Sequence, residues 1–281
     1  MQAVEKYKDS QYASYVETPY RHPEIEHKYG DKVHILKNPV LLTQLGFLSS
    51  RDSRQPALSA MLNELYSSLI RIVINQEFPL KWEEIKTRMY DQTEMGILKI
   101  PIINPSTKVV VIEIPRAGTE PALICYNIIN RTLDPRGVRK DTLEVSRKVD
   151  SQGRIIGAEL YKAKIGGPVK DRILIIPDPM GATGSTLCTV LDEFKKEVGE
   201  YFILKIISLN LIITPEFIRN VHSRHPECVI YAVRLDRGLS DDAVFGSLPG
   251  TFWEREKGLN DHGYIVPGAG GLGEVLTGSE K

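Results

Sequence analysis

The tightest constraint on how this chain can fold is the stretch Ile173-Leu-Ile-Ile-Pro-Asp178-Pro-Met-Gly-Ala-Thr183-Gly-Ser-Thr186 and the pattern that follows it. Ile173 to Ile176 is a short apolar run, which predicts a buried strand. Leu187, Val190, Leu191, Phe194 and Val198 then recur at helical spacing, and Gly199 supplies a stop. A loop of small residues, Gly181 to Thr186, therefore joins the carboxyl end of a strand to the amino end of a helix. Free backbone N–H groups and the helix dipole favour an anion there, most simply a phosphate. Gly181 and Gly184 allow a close backbone approach, and Thr183, Ser185 and Thr186 add hydroxyl donors. Asp178 cannot help an anion, but it suits sugar hydroxyls or a magnesium ion. The pair of features describes a sugar phosphate. For a lone Gly-x-x-Gly, an ordinary strand-to-helix turn would be the better reading; the string here is longer.

That string, Asp-Pro-Met-x-Ala-Thr-Gly, resembles the ribose-phosphate loop of the type I phosphoribosyltransferases. Among them it is most similar to uracil phosphoribosyltransferase, where proline follows a single aspartate. The resemblance implies that Asp178, Pro179, Met180, Gly181, Ala182, Thr183, Gly184, Ser185 and Thr186 bind phosphoribosyl pyrophosphate, with Mg2+ carried on that donor. It covers roughly residues 33 to 278.

Three further segments carry it. Val109 to Ile114 reads as a strand, and Pro115-Arg116-Ala-Gly118 follows it in the place of the family's Leu-Arg-Ala-Gly loop. Arg116 is thereby implied to contact pyrophosphate, a role that suits a guanidinium because it pairs bidentately with phosphate oxygens. Residues 136 to 164 hold eight basic side chains, and Ser151-Gln-Gly153 predicts a hairpin turn between 143–149 and 155–160. A solvated hairpin accounts for such charges; a hood over a polyanionic substrate does so equally. Arg139-Lys-Asp-Thr142-Leu-Glu144 is similar to the family's Arg-x-x-x-Thr-Leu-Glu, one residue shorter, which implies Arg139 as the second catalytic arginine, with Arg136 the alternate. Finally, Gly258-Leu-Asn-Asp-His262-Gly-Tyr264-Ile-Val-Pro-Gly268 resembles the run leading into the uracil pocket. It implies Tyr264, Ile265, Gly270 and Leu272 around the base, read through the main chain.

Two departures from the family stand out. Its Gly-Asp-Ala-Gly-Asp is here Gly270-Gly271-Leu272-Gly273-Glu274. An aspartate against the donor becomes Gly271, and an alanine beside the base becomes Leu272. A segment at about 240–257, with Phe245, Phe252 and Trp253, is inserted. The expected reaction is transfer of the phosphoribosyl group to uracil, giving uridine monophosphate and pyrophosphate. The alternatives are transfer to another base, or a non-catalytic nucleotide-binding homologue.

Composition narrows the classes. Lys plus Arg (36) balances Asp plus Glu (36), so no whole-chain field points to nucleic acid or membrane. The first residues are charged and aromatic, unlike a signal peptide, and no apolar run approaches the ~20 residues of a membrane span. Cys125, Cys188 and Cys228 lack metal spacing, so buried reduced thiols and a cytoplasmic location are expected. His22 and His27 are expected at the surface, as are His222 and His225 near a helix end. Alternating strands and helices predict an α/β fold with a mainly parallel sheet flanked by helices. A hood would form from the N- and C-terminal segments and the hairpin arm at about 136–165. Residues 1–32 read as an extension and 33–281 as the phosphoribosyltransferase-like domain. The resemblance implies small-molecule substrates and a homo-oligomer, a dimer or higher.

Overall fold

The computed structural model describes residues 10–149, 155–198 and 203–279. Its centre is an eight-stranded sheet. The strands are β1 (Val33–Ile35), β4 (Lys108–Glu113), β5 (Val138–Val149), β6 (Ile155–Lys164), β7 (Arg172–Pro177), β8 (Met180–Gly181), β9 (Lys205–Ile213) and β10 (Val229–Leu235). A separate two-stranded sheet pairs β2 (Leu80–Lys86) with β3 (Ile97–Ile103). The main order is β1-β10-β9-β7-β4-β5-β6, with β8 also on β9. Every pairing in it is parallel except β5 with β6. The expected α/β architecture with a mainly parallel sheet is therefore present.

Both faces of the sheet are covered, which is why its strands read as continuous apolar runs. Val109, Val111, Ile173 and Ile175 face one core; Val110, Ile112, Leu174 and Ile176 alternate into the other. The first core packs α2 (Pro39–Leu48), α3 (Ala57–Glu77) and α4 (Thr119–Thr132). The second packs α5 (Ser185–Val198) and α6 (Pro215–Arg224). The remaining helices are short: α1 (Ser14–Glu17), α7 (Asp242–Phe245) and α8 (Leu272–Thr277). Helix α3 is long and apolar enough to cross a bilayer by length and composition. Here its stripe of Leu58, Leu62, Leu65, Leu69 and Val73 is buried in the first core.

The segment before residue 33 lies along the sheet edge. Glu24 bridges Leu36, Ile25 N–H donates to Ile35 O at 3.0 Å, and Tyr29 is 3% exposed. His22 and His27 are half-buried and His225 is buried, so these rings are not the surface groups expected from sequence. The inserted segment closes over the same edge. The Tyr29 hydroxyl donates to Glu256 Oε2 at 2.5 Å, Arg237 Nη1 donates to Glu256 Oε1 at 3.0 Å, and Trp253 meets the Tyr29 ring edge-on. A carboxylate this buried persists because it is paired and hydrogen-bonded. Residues 240–257 are thus folded against this edge, with Glu256 paired to Arg237 just before them. The predicted turn at Ser151–Gly153 lies outside the described residues; the strands on either side of it, β5 and β6, pair antiparallel.

Candidate active site

The chain order of the sheet reverses between β4 and β7, the position where open α/β sheets leave a crevice beyond the strand carboxyl ends. From β4 the chain turns into α4 on one face; from β7 it turns into α5 on the other. The two loops meet at Gly118. A Cβ there would lie 2.6 Å from Ile114 O and 2.9 Å from Pro177 O, so only glycine permits this approach. The loops bearing Arg116 and Asp178 are side by side for that reason. The peptide between Pro115 and Arg116 is cis.

The Asp178 loop is fixed from below. Asp178 N–H donates to Leu209 O, its carbonyl accepts Asn210 Nδ2 at 2.7 Å, and its carboxylate accepts Met180 N–H at 3.3 Å. Pro179 O receives the N–H groups of Leu211 and Ile212. Thr214 Oγ1 donates to Ala182 O at 2.6 Å, and Asn220 Nδ2 donates to Thr183 O at 2.7 Å. These carbonyls are held by β9 and α6, and within the loop Ala182 N–H donates to Met180 O at 3.0 Å. Thr183 Oγ1 accepts Ser185 N–H at 3.3 Å and contacts Ser185 Oγ, a local cap for the helix start. Gly184 has φ +75°, a conformation that favours glycine. Gly181 has no room for a side chain, since a Cβ would stand 2.9 Å from Ile213 Cγ2. Beneath the loop, Tyr66 is fully buried. Burial, with the Asp178 charge second, holds its hydroxyl well above the usual range, so it stays a neutral donor to Leu209 O.

Arg116 lies at the crevice with its side chain 61% exposed. Arg139 is placed differently. It pairs with Val110, four residues short of Ile114, and its guanidinium is engaged by Asp141, Gly167 O and Pro168 O. Asp141 is 1% exposed and also accepts Gly166 N–H. This geometry commits Arg139 to holding the 166–168 turn, and the expected second pyrophosphate contact finds no support in it. Arg136 is exposed and paired with Asp134.

The C-terminal segment completes the rim. Gly268 has φ +62°, and a Cβ there would strike Ile265 O at 2.3 Å. Ile265 is 8% exposed, Tyr264 is 53% exposed, and Gly270 lies open. Leu272 is 2% exposed and belongs to the core that holds Leu58 and Leu62. Ile265 shares that core, and Met180, Ala182 and Ala269 pack against it. Gly273 sets α8 against Ala117, with an added Cβ 3.5 Å from Ala117 N.

Several supporting residues escape a sequence reading because their partners are remote in the chain. Glu216 accepts the N–H groups of Gly258 and Leu259. Arg234 and Asp236 hold Gly268. Thr214, recognisable in the sequence as a helix N-cap, does cap α6 through Phe217 N–H, but it also lies under Gly258, joining the two loops. Among the described residues no group of three or more His, Cys, Asp or Glu side chains is placed to hold a metal. One carboxylate, Asp178, beside a phosphate-type loop suits a magnesium ion that arrives on substrate oxygens and keeps much of its water.

Residues 35–255 match the family model described as uracil phosphoribosyltransferase. The chain is 27% identical over 249 residues to the uracil phosphoribosyltransferase of Thermoanaerobacter sp. (strain X514), covering 88% of this chain and 98% of that protein. It is 25% identical over 251 residues to that of Legionella pneumophila subsp. pneumophila (strain Philadelphia 1), covering 89% and 97%. The AQ2163 protein from Aquifex aeolicus shares the fold, with a TM-score of 0.65 at 22% identity over 87% of this chain and 97% of that one.

Proposed function

Because the chain belongs to the uracil phosphoribosyltransferase family, we propose that it transfers the phosphoribosyl group of phosphoribosyl pyrophosphate to N1 of uracil, releasing pyrophosphate and forming uridine monophosphate. The observation that carries this reading is the junction of three loops at one crevice: Arg116 and Asp178 brought side by side at Gly118, and α8 seated on Ala117. In this reading the Ala182–Thr186 loop takes the 5-phosphate at the amino end of α5 through its backbone and hydroxyls. Asp178 takes the ribose hydroxyls, and Arg116 takes the pyrophosphate. Magnesium, carried on the donor, supplies charge neutralisation for the leaving pyrophosphate. The main chain of Ile265 and Gly270 reads the base edge, with Tyr264 at the rim.

Positive charge develops on the sugar as pyrophosphate departs, so this chain contributes chiefly by positioning and by electrostatic stabilisation of the leaving group. Arg139, engaged with Asp141 and the 166–168 turn, is assigned no donor contact in this reading. Leu272, buried in the same core as Ile265, supports the base side of the crevice from within. A cytoplasmic setting is supported by three free, buried thiols; burial pushes those of Cys188 and Cys228 up to about 11 and about 12. A homo-oligomer is supported by the exposed apolar side chains Val40 and Phe47 on α2.

The test is turnover of labelled donor with a panel of bases at saturating magnesium. Uracil turnover is expected. Efficient use of a different base would replace uracil in the reading, and nucleotide binding without turnover of any base would make the protein a sensor.

A further inference from the structure

The C-terminal helix places a carboxylate where the loop before it has no side chain. A Cβ built on Gly271 would lie 2.6 Å from Glu274 Oε2. The same carboxylate stands 3.7 Å from Arg116 Nη2, and Ser279 Oγ lies 3.4 Å from Arg116 Nη1. Ser279 is brought there by the left-handed turn at Gly278, φ +65°, after which its N–H donates to Glu274 O at 3.0 Å. Leu272 anchors one side of α8 in the core, and Gly273 seats it on Ala117. The two partners of Arg116 thus come from α8 and from the turn that ends it.

We propose that Glu274 is a positioning residue for Arg116: with Ser279 it holds the guanidinium beside Gly271, and a pyrophosphate-bearing ligand takes that guanidinium by displacing the carboxylate. The inference rests on the reading of Arg116 as the pyrophosphate contact. A guanidinium offers its N–H fork to carboxylate or phosphate with the same geometry, so the two anions are alternatives for one set of donors. The side chains of the pair are 61% and 50% exposed. A solvated pair of this kind changes an affinity by no more than about fivefold. That is enough to orient Arg116 and weak enough to yield to a multiply charged phosphate. A side chain at position 271 would crowd the carboxylate, and the flexible Glu274 tip would shift to make room. A nucleoside monophosphate, bound by the Asp178 loop, does not compete for Arg116.

Glu274→Gln keeps the size and removes the charge. Inorganic pyrophosphate and uridine monophosphate are titrated separately into the full-length wild type and the variant by calorimetry. Pyrophosphate is expected to bind roughly two- to fivefold tighter to Glu274→Gln, with the gain shrinking as salt is raised. Monophosphate affinity is expected to stay the same, and the pyrophosphate gain to vanish when Arg116→Ala is combined with it. Ser279→Ala is expected to give a smaller gain. If the wild type binds both ligands and Glu274→Gln leaves pyrophosphate affinity unchanged or lowers it, the inference is overturned while the reading of the crevice stands. A wild type that binds neither ligand overturns that reading, and the inference with it.

Discussion

Arg234 and Asp236, two residues apart at the end of β10, grip Gly268 from both sides. Arg234 Nη2 donates to Gly268 O at 2.9 Å, and Gly268 N–H donates to Asp236 Oδ2 at 2.8 Å. The two side chains also pair with each other, Nε to Oδ1 at 2.7 Å. Asp236 is 3% exposed, so its charge is held in a low-dielectric site by the arginine and one amide. The turn that follows Ile265 therefore has its direction set by the strand.

Removing that carboxylate is expected to affect one substrate. Asp236→Ala leaves the half-buried Arg234 with only Gly268 O and Ser49 Oγ and strips Gly268 N–H of its acceptor, a loss of about 1–3 kcal/mol in stability. Asp236→Asn keeps an acceptor for Gly268 N–H and is expected to be milder. In steady-state assays the uracil KM should rise in both variants while the donor KM changes little. Equal changes in the two would place the pair outside base positioning.

Ligand-specific losses separate Asp178 from Arg116. Asp178→Ala should weaken uridine monophosphate and phosphoribosyl pyrophosphate alike, because both carry the ribose. Arg116→Ala should weaken only the ligands that carry pyrophosphate, since charge-assisted bonds of this type are worth about 1.5–3 kcal/mol. Calorimetric titration of each ligand reads the split; parallel losses in Arg116→Ala would contradict it.

Gly184→Ala should disturb the phosphate loop without touching a ligand. The new methyl would stand 3.0 Å from Val221 Cγ2 and 3.2 Å from Phe217 O, at a φ of +75°. The left-handed conformation alone costs about 1–2 kcal/mol for a residue with a Cβ. A lower melting temperature together with weaker monophosphate binding is expected, and unchanged binding would show that the loop's conformation is not what the phosphate needs.

Leu272→Ala should lower stability rather than open a pocket. A leucine 2% exposed among Leu58 and Leu62 typically loses about 2–5 kcal/mol on truncation. Urea denaturation measures this. A stable variant with improved uracil KM would return Leu272 to the base site.

Acid should loosen the edge where the N-terminal arm docks. Burial pushes His22 and His27 below their ordinary value of 6.5. A group depressed in the folded state contributes stability above its unfolded pKa, and that contribution is lost as pH falls below 6.5. Glu24 follows in a lower window. Burial raises its carboxyl, but His34, a Gln76 hydrogen bond and His27 together outweigh that and leave it below 4.5, so its contribution is lost as pH falls below that value. Melting temperature is expected to drop in two stages from neutrality to acid, and His22→Asn with His27→Asn should flatten the first. An unaltered first stage in that double variant would move its origin elsewhere.

The legible parts of this chain were those whose pattern is local. Ile173 to Ile176, the glycine loop and the stripe from Leu187 to Phe194 each announce an element over fewer than a dozen residues, and each is present. The β2–β3 hairpin was not legible: Lys81, Glu83, Glu84 and Lys86 break the apolar alternation, and the strand is exposed along most of its length. β1 is three residues long and exists through its pairing with β10. Arg139 shows the limit of a motif. Which side chain of β5 reaches the crevice depends on register against β4, and a one-residue difference in spacing carries a side chain to the other face. The grip on Gly268 joins residues 32 and 34 apart in sequence, with no periodicity to betray it.

β5 is built as a cantilever. Val138 to Thr142 pairs with β4; from Leu143 to Val149 the one partner strand among the described residues is β6, while Leu143 and Val145 pack into the second core. At 3.3–3.4 Å per residue the overhang is about 23 Å long. The register shift between Glu144 and Val145 lies just beyond the β4 pairing, where a bulge bends a strand most easily. A tilt of β5 at that joint would be felt first at Thr142, the residue registered with Glu113, three positions before Arg116.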